Sequence, residues 1–269
     1  MANSASLLLP VSNLTNLLAV HQLDLTFAGF AARMAPVLAV VLVVEYVALR
    51  WLFRGELRAV GRPVGRAEHE DTPPWTPVVV VALMLVGFAV ASPLGVESFW
   101  MSTAAALVLV VWAGHRGLVS APTVVHAAHP GFAALVLSLG VVVAALAAGP
   151  LGEVVAGLLP QNATSYIDLA AIALVATLLA SLVTNLSATL LLVPLLVPLG
   201  TTAILAALLG LNIGSGLTWT GSLANLLWRR GLVRLGDPPT SRGFHRVSLV
   251  ITPLSLAAGV AVLAWWPLG

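Results

Sequence analysis

The chain has 269 residues, of which 59% are hydrophobic and only 8% charged, with a formal charge of +2. A soluble domain carries about 25% charged residues, so this composition excludes an ordinary soluble globule. Cysteine is absent, which removes disulfides, thiolate metal sites and a cysteine nucleophile. Lysine is absent too, and the twelve arginines sit in short stretches between apolar runs, a topology signal rather than a nucleic-acid-binding face.

The pattern predicts an all-α polytopic membrane protein with about six to eight crossings at about 20 residues each. After a polar N-terminal segment, the first long apolar run covers 27–53, interrupted only by Arg33, Glu45 and Arg50. Glu45, with Arg50 five residues on, reads as a snorkelling or ion-pairing group near the inner surface. The charge-rich stretch 54–74 reads as a water-exposed loop, and 75–91 as a second span introduced by Pro73 and Pro74. A third span is expected at 99–112, extending to His115, with Trp100 and Trp112 at the interfaces. Residues 118–128 read as a surface or partly inserted helix, 132–148 as a span, and 149–166 as an arginine-free connection. From 168 to 228 the apolar sequence is broken at Thr184-Asn185, Pro194, Pro198, Gly200, Gly210 and 212–216, and 247–266 forms the last span. Arginine-rich stretches at 50–66 and 229–246 are expected to be cytoplasmic, and the connections around Glu97 and Glu153 to face out.

Lipid admits a broken helix only where protein or a cavity satisfies its open backbone groups, so polar breaks are the places to look for chemistry. Two of them are alike. Aligning Asn16-Leu17-Leu18 with Asn225-Leu226-Leu227 sets Pro10 near Trp219, Ser12 at Gly221 and Asn13 at Ser222. Ser12, Asn13, Ser222 and Asn225 can cap helices that begin inside the protein and turn their remaining polar groups to a substrate; the plain alternative is helix–helix hydrogen bonding. Asn185 needs another helix, water or a ligand, and 212–218, with Ser215 and Thr218, reads as an unwound region whose carbonyls are open. Asp168 could relay a proton, with capping of its own helix the alternative. His115, His126 and His129 make no convincing metal site. No phosphate loop, nucleophile elbow or zinc-protease motif is present, so neither an enzyme nor a cofactor is expected.

Three segments carry a resemblance. Residues 7–17 look like the first-half substrate motif of the arsenite permease family, part of the larger ion-transporter group, while 181–190 resembles its second-half hairpin and 211–224 the broken helix that follows. Two departures stand out: Thr184-Asn185-Leu186-Ser187 replaces the Asn-Asn-x-Pro of related carriers, and Gly214-Ser215-Gly216 stands where an arsenite permease more often has Gly-Pro-Asn. The resemblance implies a partial inverted-repeat fold with broken helices and a re-entrant hairpin. Residues 1–26 would end the first-half broken helix, 27–53 a transmembrane helix, 54–74 a cytoplasmic loop, and 75–269 the second repeat half. It implies a truncated or split transporter lacking much of the first half. The expected function is export of arsenite or antimonite across the bacterial inner membrane as an antiport conferring arsenical resistance. Ser12, Asn13, Asn185, Ser215, Thr218, Ser222 and Asn225 would bind cargo and Asp168 would couple a proton. Expected partners are a coupling proton or sodium, a missing-half polypeptide, an ATPase subunit and a second copy in a homodimer. The competing expectations are a sodium-coupled carboxylate or other anion carrier, and a nontransporting fragment or subunit.

Overall fold

The computed structural model describes residues 2–59 and 75–266. They are helical throughout: α1 Ala2–Ala5, α2 Leu14–Val20, α3 Phe27–Leu52, α4 Arg54–Ala59, α5 Trp75–Ala91, α6 Ser98–His115, α7 Ala121–Ala127, α8 Pro130–Ala147, α9 Pro150–Leu158, α10 Tyr166–Val183, α11 Asn185–Leu196, α12 Thr201–Asn212, α13 Leu223–Arg234 and α14 Ser241–Trp265. Five spans are long and apolar enough to cross a bilayer, Phe27–Leu52, Trp75–Leu94, Ser98–His115, Tyr166–Val183 and Ser241–Trp265; α8 and α9, bent by 76° where they meet, add a sixth when taken as one broken span. The architecture is that of an all-α, multi-pass membrane protein.

Two expectations need correction. The connection after α8 holds α9, started by Pro150 directly after Gly149 and carrying Glu153 in its first turn. The bend is tight because Gly152 lies against α8, where a β-carbon would stand 1.8 Å from the Ala147 carbonyl oxygen. The expected loop at 54–74 begins as α4, which continues the chain after α3; the remainder, 60–74, with Arg62, Arg66, Pro73 and Pro74, lies outside the described residues.

The chain divides into two compact units. The smaller covers Thr26–Ala28 and Gly61–Ser138, of which 75–138 includes α5, α6 and α7. Within it the Phe27 ring lies 5.3 Å from that of Phe88, and the Phe27 N–H donates to Ser92 Oγ at 2.8 Å. Many apolar side chains of α5 and α6 are exposed, as suits helices surrounded by lipid.

The larger unit covers Met1–Leu25, Gly29–Val60 and Leu139–Gly269. Its centre is α10 against α12, with Ile172, Ala173, Ala176, Leu205, Leu208 and Leu209 buried. In a membrane, close van der Waals contact rather than water exclusion drives helix association, and small residues permit it. Gly210 is such a place: an added β-carbon would fall 2.2 Å from the Ala173 carbonyl oxygen. Polar signals set the helix limits. Ser165 and Asp168 form a capping box at the start of α10, Thr240 caps α14, and α10 stops at Thr184, whose φ of 89° is outside helical space.

Candidate functional site

The polar segments that interrupt the larger unit meet in one hydrogen-bonded web, and the web is built from the same motif twice. In the first copy, Ser6 Oγ donates to the Asn3 carbonyl at 2.6 Å. Asn13 caps α2 by accepting from the Thr15 N–H, and the Asn16 amide donates to the carbonyls of Ser6 and Leu9 at 2.8 and 3.1 Å. In the second copy, Ser215 Oγ donates to the Asn212 carbonyl at 2.8 Å. Ser222 caps α13 by accepting from the Asn225 N–H, and the Asn225 amide donates to the carbonyls of Ser215 and Thr218 at 2.9 and 2.8 Å. The two cap residues share one backbone conformation, φ −147° and ψ 145° at Asn13 and φ −144° and ψ 152° at Ser222. Asn3, Ser6, Leu9, Asn13 and Asn16 therefore correspond, at one constant offset, to Asn212, Ser215, Thr218, Ser222 and Asn225.

The copies also exchange bonds reciprocally. Asn212 Nδ2 donates to Asn16 Oδ1 at 2.8 Å, and Asn3 Nδ2 donates to Asn225 Oδ1 at 3.2 Å. Asn13 Nδ2 donates to Asn212 Oδ1 at 2.7 Å, and Ser222 Oγ donates to Asn3 Oδ1 at 3.2 Å. Each cap thus holds the asparagine that begins the opposite copy. The register in which Asn13 matches Ser222 and Asn16 matches Asn225 is the one the sequence suggests. Asn3 and Asn212 lie outside that alignment, which starts at Pro10; a few residues earlier, Asn3-Ser4-Ala5-Ser6 and Asn212-Ile213-Gly214-Ser215 share an Asn and a Ser at the same spacing.

The web is sealed around Asn212. Thr15, Asn16 and Asn212 are wholly buried, and Thr15 Oγ1 is a second donor to Asn212 Oδ1, at 3.0 Å, beside Asn13 Nδ2. The second copy has Ala224 in the place of Thr15, and Ala224 and Asn225 border a cleft of about 720 Å³. Asn3, Ser4, Glu45, Trp228, Phe244 and Thr252 contribute to its walls. At its rim Trp219 stacks on Phe244 at 3.9 Å, and the Arg229 guanidinium lies 5.4 Å from the centre of the Trp219 ring.

Five of the residues singled out from sequence, Asn13, Ser215, Thr218, Ser222 and Asn225, enter this web. Thr218 also ties it to the α10–α11 break, its hydroxyl donating to the Ser181 carbonyl at 3.2 Å. Asn185 joins through its backbone N–H, which donates to the Gly221 carbonyl at 3.0 Å, while its side-chain amide has no hydrogen-bond partner among the described residues. Ser181 Oγ, on the adjoining turn, is buried without a partner. Ser12 is exposed, and its hydroxyl donates to the carbonyls of Ser6 and Leu9, the same two that accept from the Asn16 amide. Asp168 accepts from the Ser165 N–H at 3.0 Å and the Ser165 hydroxyl at 2.8 Å, completing the cap of α10, and does not line the cleft. Glu45, read from sequence as a snorkelling group, is 2% exposed and accepts a hydrogen bond from Ser4 Oγ, while Arg50 is exposed. His126 and His129 bring their rings to 5.7 Å, but no cluster of three metal-binding side chains occurs among the described residues.

Comparison with known proteins agrees with the family resemblance. The family described as ArsB, arsenical pump membrane protein, matches residues 1–266. The arsenical pump membrane protein of Escherichia coli (strain K12) is 28% identical over 277 residues, covering 98% of this chain and 65% of the relative. Its counterpart from Shigella flexneri matches to the same extent, and that of Yersinia enterocolitica is 27% identical over 280 residues with the same coverage. The chain thus spans about 65% of the length of the curated relatives it matches. No solved structure matches.

Proposed function

The chain belongs to the arsenical pump membrane protein family, a family of membrane transporters rather than enzymes, and from that premise we propose that it exports arsenite or antimonite through the reciprocal asparagine web. The observation that carries this reading is the second motif copy, a helix start whose Asn225 borders a cleft together with Asn3. Undissociated arsenite is a small, neutral, tri-hydroxy species. It needs hydrogen-bond partners of both signs and no counter-charge, which is what Asn3 and Asn225 offer at the cleft, with Ser215 and Ser222 bonded behind them and the unengaged amide of Asn185 at the adjoining break. Each bond in the web contributes about 1 kcal/mol net, so cargo hydroxyls can replace the Asn3–Asn225 and Ser222–Asn3 bonds at little cost. Replacing bonds around Asn212 would require opening its buried cluster with Thr15 and Asn16, so entry is beside Asn3 and Asn225.

The two copies are, in this reading, the broken helices of an inverted repeat, and transport is movement of one against the other around their shared bonds. The arginines of 229–246 mark the cytoplasmic side and the protein resides in the bacterial inner membrane. The coupling ion is a proton. An ATPase subunit, a second copy of the chain, or a polypeptide supplying the segment that relatives have and this chain does not would complete the working assembly.

The test is expression in an arsenite-sensitive bacterium, with intracellular arsenic measured beside the quantity inserted in the membrane. Lower arsenic accumulation, from this chain alone or with the additional segment supplied, supports export. Normal insertion with unchanged arsenic in both cases rejects it. Strict sodium dependence with succinate uptake and no arsenite movement would replace it with a carboxylate carrier.

A further inference from the structure

The twofold correspondence of the web fails at one position with chemical consequence. Asn212 is followed by Ile213, a buried apolar side chain, whereas Asn3 is followed by Ser4. Ser4 is 3% exposed and its hydroxyl donates to Glu45 Oε1, on α3. Two consecutive residues of one short turn therefore face two different things: Asn3 holds Ser222, Ser215 and Asn225 of the second copy, and Ser4 holds a carboxyl group. Glu45 lies within an apolar transmembrane helix, is buried, and borders the same cleft as Asn3 and Asn225. An ionisable side chain at such depth is costly and is kept where it serves a site or a proton path.

We propose that Glu45 is the proton-binding group of this site and that Ser4 and Asn3 transmit its protonation state to the broken helix capped by Ser222. The inference rests on the reading of the cleft as the cargo path. The carboxylate accepts one proton from cleft water and later returns one; no other bond is made or broken. As a carboxylate, Glu45 accepts from Ser4 and anchors the turn that carries Asn3. As a neutral acid it accepts from Ser4 more weakly, because a hydrogen bond to an ionised group is about twice as strong as one between neutral groups, and the hold of Asn3 on Ser222 and Asn225 weakens with it. Proton uptake then loosens the Asn3 bonds beside the cleft and leaves the buried bonds around Asn212 intact. Among the described residues, the other charged groups on this cleft are Glu56 of α4 and Arg246 of α14, while α1 and α13 present only neutral side chains there.

Because the chain has no cysteine, a single thiol reports the event. A224C places one on the cleft wall beside Asn225, and its labelling rate in membranes is measured from mildly acid to mildly alkaline pH. Each rate is divided by that of L118C, an exposed position in the other unit, to remove the effect of thiol ionisation. The expected ratio changes by at least about fivefold across the range, the lower end of ordinary coupling between two sites. Glu45→Gln, which keeps volume and an acceptor for Ser4, should flatten the profile. Ser4→Ala should also flatten it while leaving the pH-dependent carboxylic-acid band of Glu45 in infrared difference spectra. A flat profile in the A224C chain, or an unchanged profile after Glu45→Gln, overturns the proposal, and an unchanged profile after Ser4→Ala overturns the relay. None of these measurements needs arsenic: a Glu45-dependent profile in a chain that moves no arsenite would reject the cargo reading alone, and arsenite efflux with a flat profile would reject this proposal alone.

Discussion

The first motif copy, from Asn3 to Asn16, and the second, from Asn212 to Asn225, make matching hydrogen bonds, yet the exchange between Asn16 and Asn212 is buried and the one between Asn3 and Asn225 borders a cleft. The difference comes from side-chain volume and one hydroxyl. Thr15, beside Asn16, supplies an additional donor to Asn212, where Ala224, beside Asn225, has none to give. An identical polar scaffold can therefore serve as a rigid clamp in one setting and an exchangeable binding surface in the other, according to whether water can replace its partners.

The comparison breaks most severely at Gly221. Its counterpart is Ser12, which is exposed and carries a side chain without difficulty, whereas a β-carbon at Gly221 would stand 2.3 Å from the Ser215 carbonyl oxygen. Gly221→Ala should destabilise the protein by about 1–3 kcal/mol through overpacking and abolish arsenite efflux, read by thermal unfolding in detergent and by intracellular arsenic. Next in size is the contrast between Asn212→Ala and Asn3→Ala. Removing Asn212 strands buried groups of Asn13, Thr15 and Asn16 and should cost about 2–3 kcal/mol, while removing Asn3 frees groups beside the cleft that water can satisfy and should cost about 1 kcal/mol. Equal losses in the same unfolding measurement would remove the distinction between the buried and the cleft-side asparagine.

Ala224→Thr sharpens the comparison by giving the second copy the hydroxyl of the first. Insertion should be unchanged and arsenite efflux should fall severalfold, and unaltered efflux would mean that cargo does not pass Asn225. Asn185→Ala removes an amide with no protein partner and should shift stability by no more than about 0.5 kcal/mol. Its signature is instead reduced efflux at constant membrane abundance, and unchanged efflux would exclude Asn185 from the path. Ser12→Ala, at the exposed edge of the web where Asn16 still holds the same two carbonyls, should alter neither property measurably.

Much of this was legible because lipid simplifies the code. Apolar run length gives the spans at Phe27–Leu52, Trp75–Ala91 and Ser98–His115 almost to the residue, since no competing use exists for such stretches, and the break read at Thr184-Asn185 is where α10 ends. Recurrence of Asn-Leu-Leu gave the register of Asn13 with Ser222 and Asn16 with Asn225. The helix α9 was hidden because Gly149, Pro150 and Gly157 also read as connection, and only the close approach of Gly152 to Ala147 makes the bend fit. The direction taken by Glu45 was equally illegible: spacing to Arg50 suggests a pair along one helix, but its partner Ser4 is brought in by tertiary structure.

Thr184 carries a consequence for motion. A β-branched residue at φ 89° and ψ 153° occupies territory suited to glycine, at a cost on the order of 1–3 kcal/mol. The neighbouring peptide is tied across to Gly221 by the Asn185 N–H. A displacement of the Gly221 turn that releases this N–H would let Thr184 relax toward an ordinary extended angle and swing the tip between α10 and α11. Movement of the Gly221 turn would thus be felt directly at the break between α10 and α11, because one peptide hydrogen bond joins them.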